Sequence, residues 1–393
     1  MACAALFNHK YECCGCGACA AVCSNGAIDM RKDEEGFLYP VVADDKCVEC
    51  GACVSVCRAG VGKIKASDNV SAFAAYCIDE SIRKSSSSGG IFSILAEEVL
   101  RHGGVVYGAA FDERFSVKHI AVDNVSELPR LRGSKYVQSD IGDCFADVKR
   151  NVLAGRQVLF SGTPCETAAM LNYLGGRHEN LLTVDLVCHG VPSPAVWDAY
   201  VREICGAKDY ADIKRISFRD KTISWREFSI LLAFKDGTEY RCVLKDDPYM
   251  QGFLRNLYLR PSCHACRFKG DNRTSDITLA DFWGIEKVMP EMYDSRGTSF
   301  VLTNTEKGLE FLARIKDKMR IADADVSEAL SHNEAALTSV EANLNREEFF
   351  NDFVKETSSI RILTERYARR KPLKKRCAKA IRGFMELFKI HTR

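Results

Sequence analysis

The sequence predicts an α+β protein in three parts: a cysteine-rich N-terminal module, a mixed α/β body and a C-terminal amphipathic helix. Ten of the 19 cysteines lie within the first 57 residues. Buried-strand and helix patterns alternate through the middle of the chain, and basic residues crowd its end. We place the parts at 1–66 for the module, 67–160 and 161–346 for the two portions of the body, and 347–393 for the tail.

Composition is typical of a globular protein in a reducing compartment. The 393 residues are 46% hydrophobic and 27% charged, which disfavours disorder. No apolar signal segment opens the chain, and no stretch approaches the ~20 apolar residues that a membrane span needs. We therefore expect a cytoplasmic location. Because the cytosol keeps thiols reduced, so many cysteines indicate metal ligation better than disulfides.

Two cysteine quartets with identical spacing define the N-terminal module. Both follow the pattern C-x2-C-x2-C-x3-C with an offset of 34 residues, and their members are Cys13, Cys16, Cys19 and Cys23, then Cys47, Cys50, Cys53 and Cys57. This is the pattern of a bacterial-type ferredoxin with two 4Fe-4S clusters, in which the fourth cysteine of each quartet binds the other cluster. Cys57 is then expected with the first three cysteines, and Cys23 with the second three. Zinc is the alternative metal for these cysteines, since it is also bound by C-x-x-C pairs.

Two departures from the ferredoxin pattern occur. The proline that usually follows the fourth cysteine is replaced by Ser24 and Arg58, which removes no ligand. Cys14 adjoins Cys13 outside the repeated spacing, and we interpret it as a bystander.

The body is predicted to alternate strands and helices. A helix is expected over Ile91–Arg101, capped by the serines of the Ser85–Gly90 run. Buried strands are expected at Val105–Phe111, Val158–Phe160 and Leu181–Val187, with a helix over Glu166–Leu174 between the last two. The segment 157–187 is then a parallel strand–helix–strand unit. Cys165 and Cys188 follow its two strands, so both thiols are expected at one edge of the sheet, where neighbouring strands lie ~4.8 Å apart.

Beyond residue 85 the chain resembles the beta subunit of coenzyme F-420 (deazaflavin) hydrogenase/dehydrogenase. The stretches that carry the likeness are SSGGIFSILAEEVL, RGSKYVQS, VLFSGTPCE, LVCHGVPSP, RPSCHACRFKG and SDITLADFWG. A fused N-terminal ferredoxin is a common arrangement in that family. The resemblance implies a flavin-binding body that holds FAD beside a further 4Fe-4S cluster, with coenzyme F-420 as a candidate redox partner.

A third cluster would be held by a pair of cysteines at the ends of strands and a C-x-x-C pair, namely Cys165, Cys188, Cys263 and Cys266. Zinc or unligated structural thiols are the alternatives. The seven other cysteines lack a spacing partner and are expected to be small buried hydrophobic residues. They are Cys3, Cys14, Cys77, Cys144, Cys205, Cys242 and Cys377.

The candidate flavin contacts fall in three loops. Ser87, Ser88, Gly89 and Gly90 precede a helix whose free N–H groups suit a pyrophosphate, although a plain helix cap explains the same residues. The second loop offers charge and hydrogen-bond donors to a flavin, or is a solvated surface loop; its candidates are Arg132, Ser134, Lys135, Tyr136 and Gln138. Thr163 is the candidate in the third loop. No G-x-G-x-x-G motif is present in the sequence, which disfavours a nicotinamide site.

Some residues near these motifs are ambiguous. His189 is either a proton donor or ligand, or a hydrogen-bonded residue that steadies the cysteine loop, and we favour the second interpretation. Asp281, Phe282 and Trp283 follow an apolar strand and are weak flavin candidates, since aromatic residues there are more often core. No catalytic residue is predicted.

The tail is strongly basic. Residues 365–393 contain eleven Lys and Arg residues but only two acidic residues, Glu365 and Glu386, although the net charge of the whole chain is only +2. Leu373, Cys377 and Phe384 recur at helical spacing, which predicts a cationic amphipathic helix. This helix would either lie peripherally on the inner face of the membrane or dock on the acidic body or a partner subunit. Nucleic-acid binding is disfavoured because no other basic segment extends the patch.

Together these features predict an oxidoreductase that depends on FAD and iron–sulfur clusters. It would pass electrons between a low-potential carrier, ferredoxin or reduced deazaflavin, and a substrate. One alternative is an electron-transfer subunit without its own substrate site. Another is an accessory protein of surface-polysaccharide biosynthesis. The expected partner is a redox protein such as ferredoxin or another oxidoreductase subunit.

Overall fold

The computed structural model describes residues 6–58, 70–270, 273–355 and 359–368. The amphipathic helix predicted between Leu373 and Phe388 lies outside the described residues. Among the helices that are described, none has the length and apolar content to cross a bilayer.

Short helices and strands alternate along the described chain. The helices are α1 (Ala18–Ala21), α2 (Ala52–Arg58), α3 (Glu80–Ser85), α4 (Ile91–Arg101), α5 (Cys144–Leu153), α6 (Pro164–Leu174), α7 (Pro194–Cys205), α8 (Pro248–Leu254), α9 (Ile285–Val288), α10 (Glu306–Arg314), α11 (Val326–Ser331), α12 (Glu334–Leu337), α13 (Arg346–Lys355) and α14 (Ile360–Tyr367). The strands are β1 (Ile28–Lys32), β2 (Leu38–Val42), β3 (Ser71–Cys77), β4 (Val105–Phe111), β5 (Val117–Val122), β6 (Val158–Ser161), β7 (Leu181–Leu186), β8 (Ile213–Asp220), β9 (Ser229–Phe234), β10 (Glu239–Val243), β11 (Ile277–Asp281), β12 (Ser299–Thr303) and β13 (Met319–Ala324).

An eight-stranded sheet forms the centre of the body, in the order β13-β3-β12-β11-β7-β6-β4-β5. The inner strands β4, β6, β7 and β11 are parallel, whereas β5, β12, β3 and β13 add in antiparallel fashion. The predicted parallel unit β6-α6-β7 is confirmed, as are the helix at Ile91–Arg101 and the strand at Val105–Phe111. Since β3 and β12 pair directly, both portions of the body contribute to one sheet.

Alternation along β4 explains how helices cover both faces of this sheet. Val106 points into a core formed with α4 and α10, whereas Val105 and Tyr107 point into a core formed with α5 and α6. Successive apolar residues on both sides are typical of a buried parallel strand. The result is a three-layer arrangement in which α6 stands on the face that also receives the cysteine-rich module.

Helix α6 begins two residues earlier than the sequence pattern indicates. Thr163 and Glu166 form a capping box, and Pro164 occupies the first turn, where its missing N–H costs nothing. The helix ends at Gly175, whose φ of +81° lies in the left-handed region. Cys165 therefore lies in the first turn of α6, held by the cap.

A second unit packs an antiparallel sheet against helices. Strands β10, β9 and β8 form this sheet, and its core is rich in aromatic residues from α7, α8 and α13. The rings of Trp197 and Phe218 lie 4.7 Å apart between centroids. This unit supplies the 3₁₀ turn Pro261–Ala265, which carries Cys263.

The cysteine-rich module consists of the β1-β2 hairpin with α1 and α2, and it rests on the body. Helices α1 and α2 contact each other and α6, while the 3₁₀ turn Lys10–Glu12 contacts the turn Pro261–Ala265. The module is thus anchored on two of the segments that carry body cysteines.

Asp276 is a buried hub whose removal should destabilise the body. Its carboxylate, 1% exposed, accepts hydrogen bonds from Thr183 N (2.8 Å), Thr183 Oγ1 (2.7 Å) and Thr305 Oγ1 (2.8 Å). Asp276→Ala leaves these donors unpaired and should lower the free energy of unfolding by about 3 kcal/mol. Denaturant unfolding measures this loss. Asp276→Asn keeps the volume and one acceptor and should lose less; equal losses would show that the negative charge, which pairs with Arg177 and Lys307, matters more there than the retained acceptor.

Candidate functional site

The two cysteine quartets adopt the same local conformation. In each, a glycine in the left-handed region precedes a helix that contains the third cysteine of its quartet: Gly17 (φ +74°) before α1 and Gly51 (φ +75°) before α2. Only glycine takes this conformation readily. The repeated backbone matches the duplication seen in the sequence.

The fourth cysteine of each quartet lies with the other quartet. The Cys57 thiol is close enough to those of Cys13 and Cys19 to act electrostatically on both, and Cys23 acts in the same way on Cys53. This is the crossed arrangement that the spacing predicts for two 4Fe-4S clusters.

A cavity lies between the module and the body, lined by cysteines from both. Those on the module side are Cys13, Cys14, Cys16, Cys19 and Cys57, and those on the body side are Cys165, Cys188, Cys263 and Cys266. The predicted third set of thiols therefore faces the first quartet across one space. Within the described residues, no group of three or more His, Cys, Asp or Glu is arranged to hold a single metal ion.

Burial sets the ionisation of these thiols. It raises the pKa of Cys13 and Cys263 to about 11 and that of Cys19 and Cys188 to about 12. Without a metal these four thiols therefore stay protonated at neutral pH, whereas iron ligation replaces the proton. The donor set of buried cysteines suits iron–sulfur chemistry.

Neighbouring groups orient the body cysteines. Thr163 Oγ1 lies 3.1 Å from Cys165 Sγ, and the Val191 N–H donates to Cys263 Sγ at 3.4 Å. The Cys188 carbonyl accepts from the Lys269 ammonium. The expectation that Cys165 and Cys188 lie at one sheet edge agrees with their shared cavity.

The other cysteines divide into two groups. Cys77, Cys144 and Cys205 are buried, as predicted, and Cys242 is half-buried; Cys3 and Cys377 lie outside the described residues. Cys14, which the sequence pattern sets apart from the quartet, lines the same cavity, with its thiol beside those of Cys16 and Cys165.

Arg260 joins the module to the body beside the first quartet, and the sequence analysis missed it. Its Nε donates to the Cys13 carbonyl at 2.9 Å, and its Nη2 donates to the Leu38 carbonyl at 3.0 Å. Gln138 Oε1 accepts from Arg260 Nη1 at 3.3 Å and from the Leu38 N–H at 3.2 Å. The only available signal was its position in the RPSCHACRFKG stretch.

The first two candidate flavin loops meet in the structure. Ser87 Oγ accepts from the Ser134 N–H at 2.8 Å, and Arg132 donates to Ser85 Oγ and Ser93 Oγ at 2.9 Å each. The expected capping role of the serines is wrong for α4: Gly90, with φ +88°, is the N-cap and no side chain caps this helix. The Ser85 and Ser86 hydroxyls instead donate to carbonyls of α3, and those of Ser87 and Ser88 contact Ser134 and the Thr298 carbonyl.

The remaining flavin candidates have different surroundings. Gly89 is tightly packed, since a Cβ there would lie 2.5 Å from the Ala75 carbonyl oxygen. Lys135 donates to the carbonyls of residues 130, 131 and 132, and burial lowers its pKa to about 7. Gln138 and Thr163 lie with the cysteines, apart from the loops that meet at Ser87 and Ser134.

A second arginine, Arg219, lies beside these loops and was also missed. It pairs with Asp281 at 2.8 Å, and donates to the Tyr136 hydroxyl at 3.2 Å and the Ser87 carbonyl at 3.3 Å. Its Nε is buried and has no hydrogen-bond partner among the described residues. Tyr136 and Asp281, predicted separately, thus belong to one neighbourhood.

Two ambiguous predictions acquire defined contacts. His189 Nε2 lies 2.7 Å from Asn256 Oδ1, and burial lowers its pKa, which favours the neutral, hydrogen-bonded role. Phe282 is fully buried in the core, whereas Trp283 stacks on Trp225 with ring centroids 5.0 Å apart.

Family models match most of the described chain. The model for the N-terminal part of the coenzyme F-420 hydrogenase/dehydrogenase beta subunit matches residues 72–144, and that for its C terminus matches 155–329. A 4Fe-4S dicluster domain matches residues 12–61.

Two known proteins show similarity at low identity. One subunit of the F(420)H(2) dehydrogenase of Methanosarcina mazei is 20% identical over 337 residues, which cover 80% of this chain and 90% of that protein. A chain of the F-420-reducing [NiFe] hydrogenase complex from Methanosarcina barkeri aligns with a TM-score of 0.46 and 18% identity, over 70% of this chain and 91% of that chain.

Gly15 offers a test of the contact between module and body. Its φ is +73°, and a Cβ would lie 2.4 Å from Gln138 Nε2 and 2.7 Å from Arg260 Nη1. Gly17 has almost the same φ, but the nearest atom to its Cβ would be 3.9 Å away. Gly17→Ala should lower the free energy of unfolding only by the backbone strain, about 1–2 kcal/mol. Gly15→Ala should lower the thermal midpoint further because it also displaces the module. Equal midpoints would contradict the close packing at Gly15.

Proposed function

Because the chain belongs to the family of coenzyme F-420 hydrogenase/dehydrogenase beta subunits and carries a 4Fe-4S dicluster domain, we propose that it is a flavin-dependent iron–sulfur oxidoreductase. Three 4Fe-4S clusters would conduct electrons between an external carrier and FAD held in the body. The observation that carries the proposal is the cavity where the first quartet faces Cys165, Cys188, Cys263 and Cys266. The first and third clusters, one on each side of that space, would then be neighbours.

Exposure suggests the direction of the relay. The loop 48–51, which carries Cys50 of the second quartet, is exposed, with Val48 66% exposed. Among the thiols expected on the first cluster, Cys13, Cys16 and Cys19 are half-buried at the cavity and Cys57 is exposed at its rim. The second cluster is therefore the one that an external redox protein would reach first. Electrons would then pass through the first cluster to the third.

FAD is assigned to the neighbourhood of Ser87, Arg132, Ser134 and Arg219. The unpaired Arg219 Nε, the Ser87 hydroxyl and the half-buried Trp283, which stacks on the buried Trp225, offer donors and an aromatic ring to such a cofactor. When bound, the flavin supplies the exchange between hydride transfer and single-electron steps. The protein side chains hold and orient it. Lys135, whose donors are used within its own loop, steadies that loop.

Reduced deazaflavin is the proposed two-electron partner, by analogy with the names of the related proteins. A low-potential ferredoxin is the proposed one-electron carrier. We place the protein in the cytoplasm because thiols stay reduced there and are available as ligands. The basic residues 365–393 would provide its contact with a membrane surface or a partner subunit.

The relatives are named as a subunit of a dehydrogenase and as part of a hydrogenase complex, which favours a second candidate function. In that case the chain delivers electrons to a partner enzyme and lacks its own substrate site. Turnover of reduced deazaflavin with an artificial acceptor separates the two: the purified chain alone should be active under the first proposal and inactive under the second.

Cofactor analysis tests the main proposal. Protein purified without oxygen should contain about twelve irons, as much acid-labile sulfide and one FAD per chain. Eight irons without flavin would contradict both the third cluster and the flavin site.

Cysteine variants locate the third cluster. Cys263→Ser combined with Cys266→Ser should remove about four irons, because these thiols supply half of the ligands of one cluster. Cys242→Ser is the control, since this half-buried cysteine lies outside the cavity. Iron content is measured for each. Unchanged iron in the double variant would refute the assignment.

A further inference from the structure

We propose that Arg260 raises the reduction potential of the first cluster, the one expected on Cys13, Cys16, Cys19 and Cys57. The inference rests on the proposed function, because it needs that cluster to be present. It concerns a residue to which neither the spacing of cysteines nor the family likeness assigns a role.

Arg260 is a buried cation directed at the first quartet. Its side chain is fully buried, and Nη2 lies 3.7 Å from Cys13 Sγ. The remaining guanidinium hydrogen bonds go to the carbonyls of Cys13 and Leu38 and to the amide oxygen of Gln138. Four contacts from one rigid plane thus hold the charge at one position relative to the cysteine loop.

The Arg260 charge lacks a carboxylate partner within the described residues. The oxygen acceptors of its guanidinium are all neutral, and aromatic rings flank it: the guanidinium carbon lies 4.1 Å from the Tyr39 ring centroid and 5.5 Å from that of Phe37. A buried cation without a counter-charge is costly. A cluster bound by four thiolates is anionic and would supply the missing negative charge.

The sign of the effect follows from the charges. Reduction adds one electron to an already anionic cluster, and a fixed cation nearby stabilises the reduced form more than the oxidised form. Burial limits screening of this attraction by water and salt. The potential of the first cluster should therefore be higher than it would be beside a neutral residue.

Arg346 provides a matched control. It also joins the module to the body, since its guanidinium donates to the Glu35 carboxylate (2.8 Å from Nη1) and to the Leu259 carbonyl (2.9 Å from Nε). Unlike Arg260, it does not line the cavity, and a carboxylate balances its charge. Replacing Arg346 loosens the same interface without removing the cation beside Cys13.

The test is a redox titration of the full chain, followed by electron paramagnetic resonance, with iron counted for each sample. The first cluster is identified as the signal that disappears in Cys19→Ala. Arg260→Gln should keep the iron content and lower the potential of that signal more than that of any other cluster, because Arg260 contacts Cys13 directly. Arg260→Lys keeps the charge but loses the planar fork, so the reduction potential of the first cluster in this variant should lie closer to the wild-type value. Arg346→Gln should leave all potentials unchanged.

Three results would overturn the inference on Arg260 while leaving the proposed function intact. One is an unchanged potential in Arg260→Gln at full iron content. Another is loss of about four irons from both Arg260→Gln and Arg260→Lys, which would show a purely structural role. The third is a shift in Arg346→Gln as large as that in Arg260→Gln, which would show that loosening the interface is enough to change the potential. Wild-type protein without the first cluster would instead refute the proposed function itself.

Discussion

The packing of the cysteine-rich module against α6 and the turn Pro261–Ala265 is the contact on which the site depends. This interface brings thiols that are more than 200 residues apart in sequence to one cavity. Without it, the module would be an isolated ferredoxin-like unit and the body cysteines would face solvent. Gly15 and Arg260 show how close the contact is, because no side chain larger than hydrogen fits between the cysteine loop and the guanidinium.

The parallel sheet provides the geometry on the body side. Strands β6 and β7 end at the same edge, so the chain delivers Cys165 and Cys188 to one place, and the capping box of α6 fixes the first of them. The 3₁₀ turn then adds Cys263 from the second unit. The cysteine-rich module, the eight-stranded sheet with its helices and the second unit therefore all contribute to the site. This suits a relay between centres that must be held at fixed separations.

Local patterns in the sequence predict a substantial part of this structure. The strand Val105–Phe111 and the helix Ile91–Arg101 have the predicted bounds, because apolar periodicity and flanking glycines mark them clearly. The cysteine quartets were recognisable because their spacing is itself the signature. Contacts between remote segments leave no such pattern. Arg260 meets Cys13 across 247 residues, Arg219 meets Asp281 across 62, and Cys14 looked incidental until α6 placed Cys165 beside it. The serine run does not cap α4, because Gly90 takes the N-cap position and the hydroxyls of Ser85 and Ser86 bond carbonyls of α3.

The adjacency of the first and third clusters is the central claim, and spin coupling measures it most directly. In fully reduced protein, two neighbouring paramagnetic clusters broaden and split each other's electron paramagnetic resonance signals. We expect such a coupled spectrum from the wild-type chain, and sharper, separate signals once Cys263→Ser and Cys266→Ser have removed the third cluster. A wild-type spectrum that is the simple sum of independent clusters, unchanged in shape by that removal, would contradict the account.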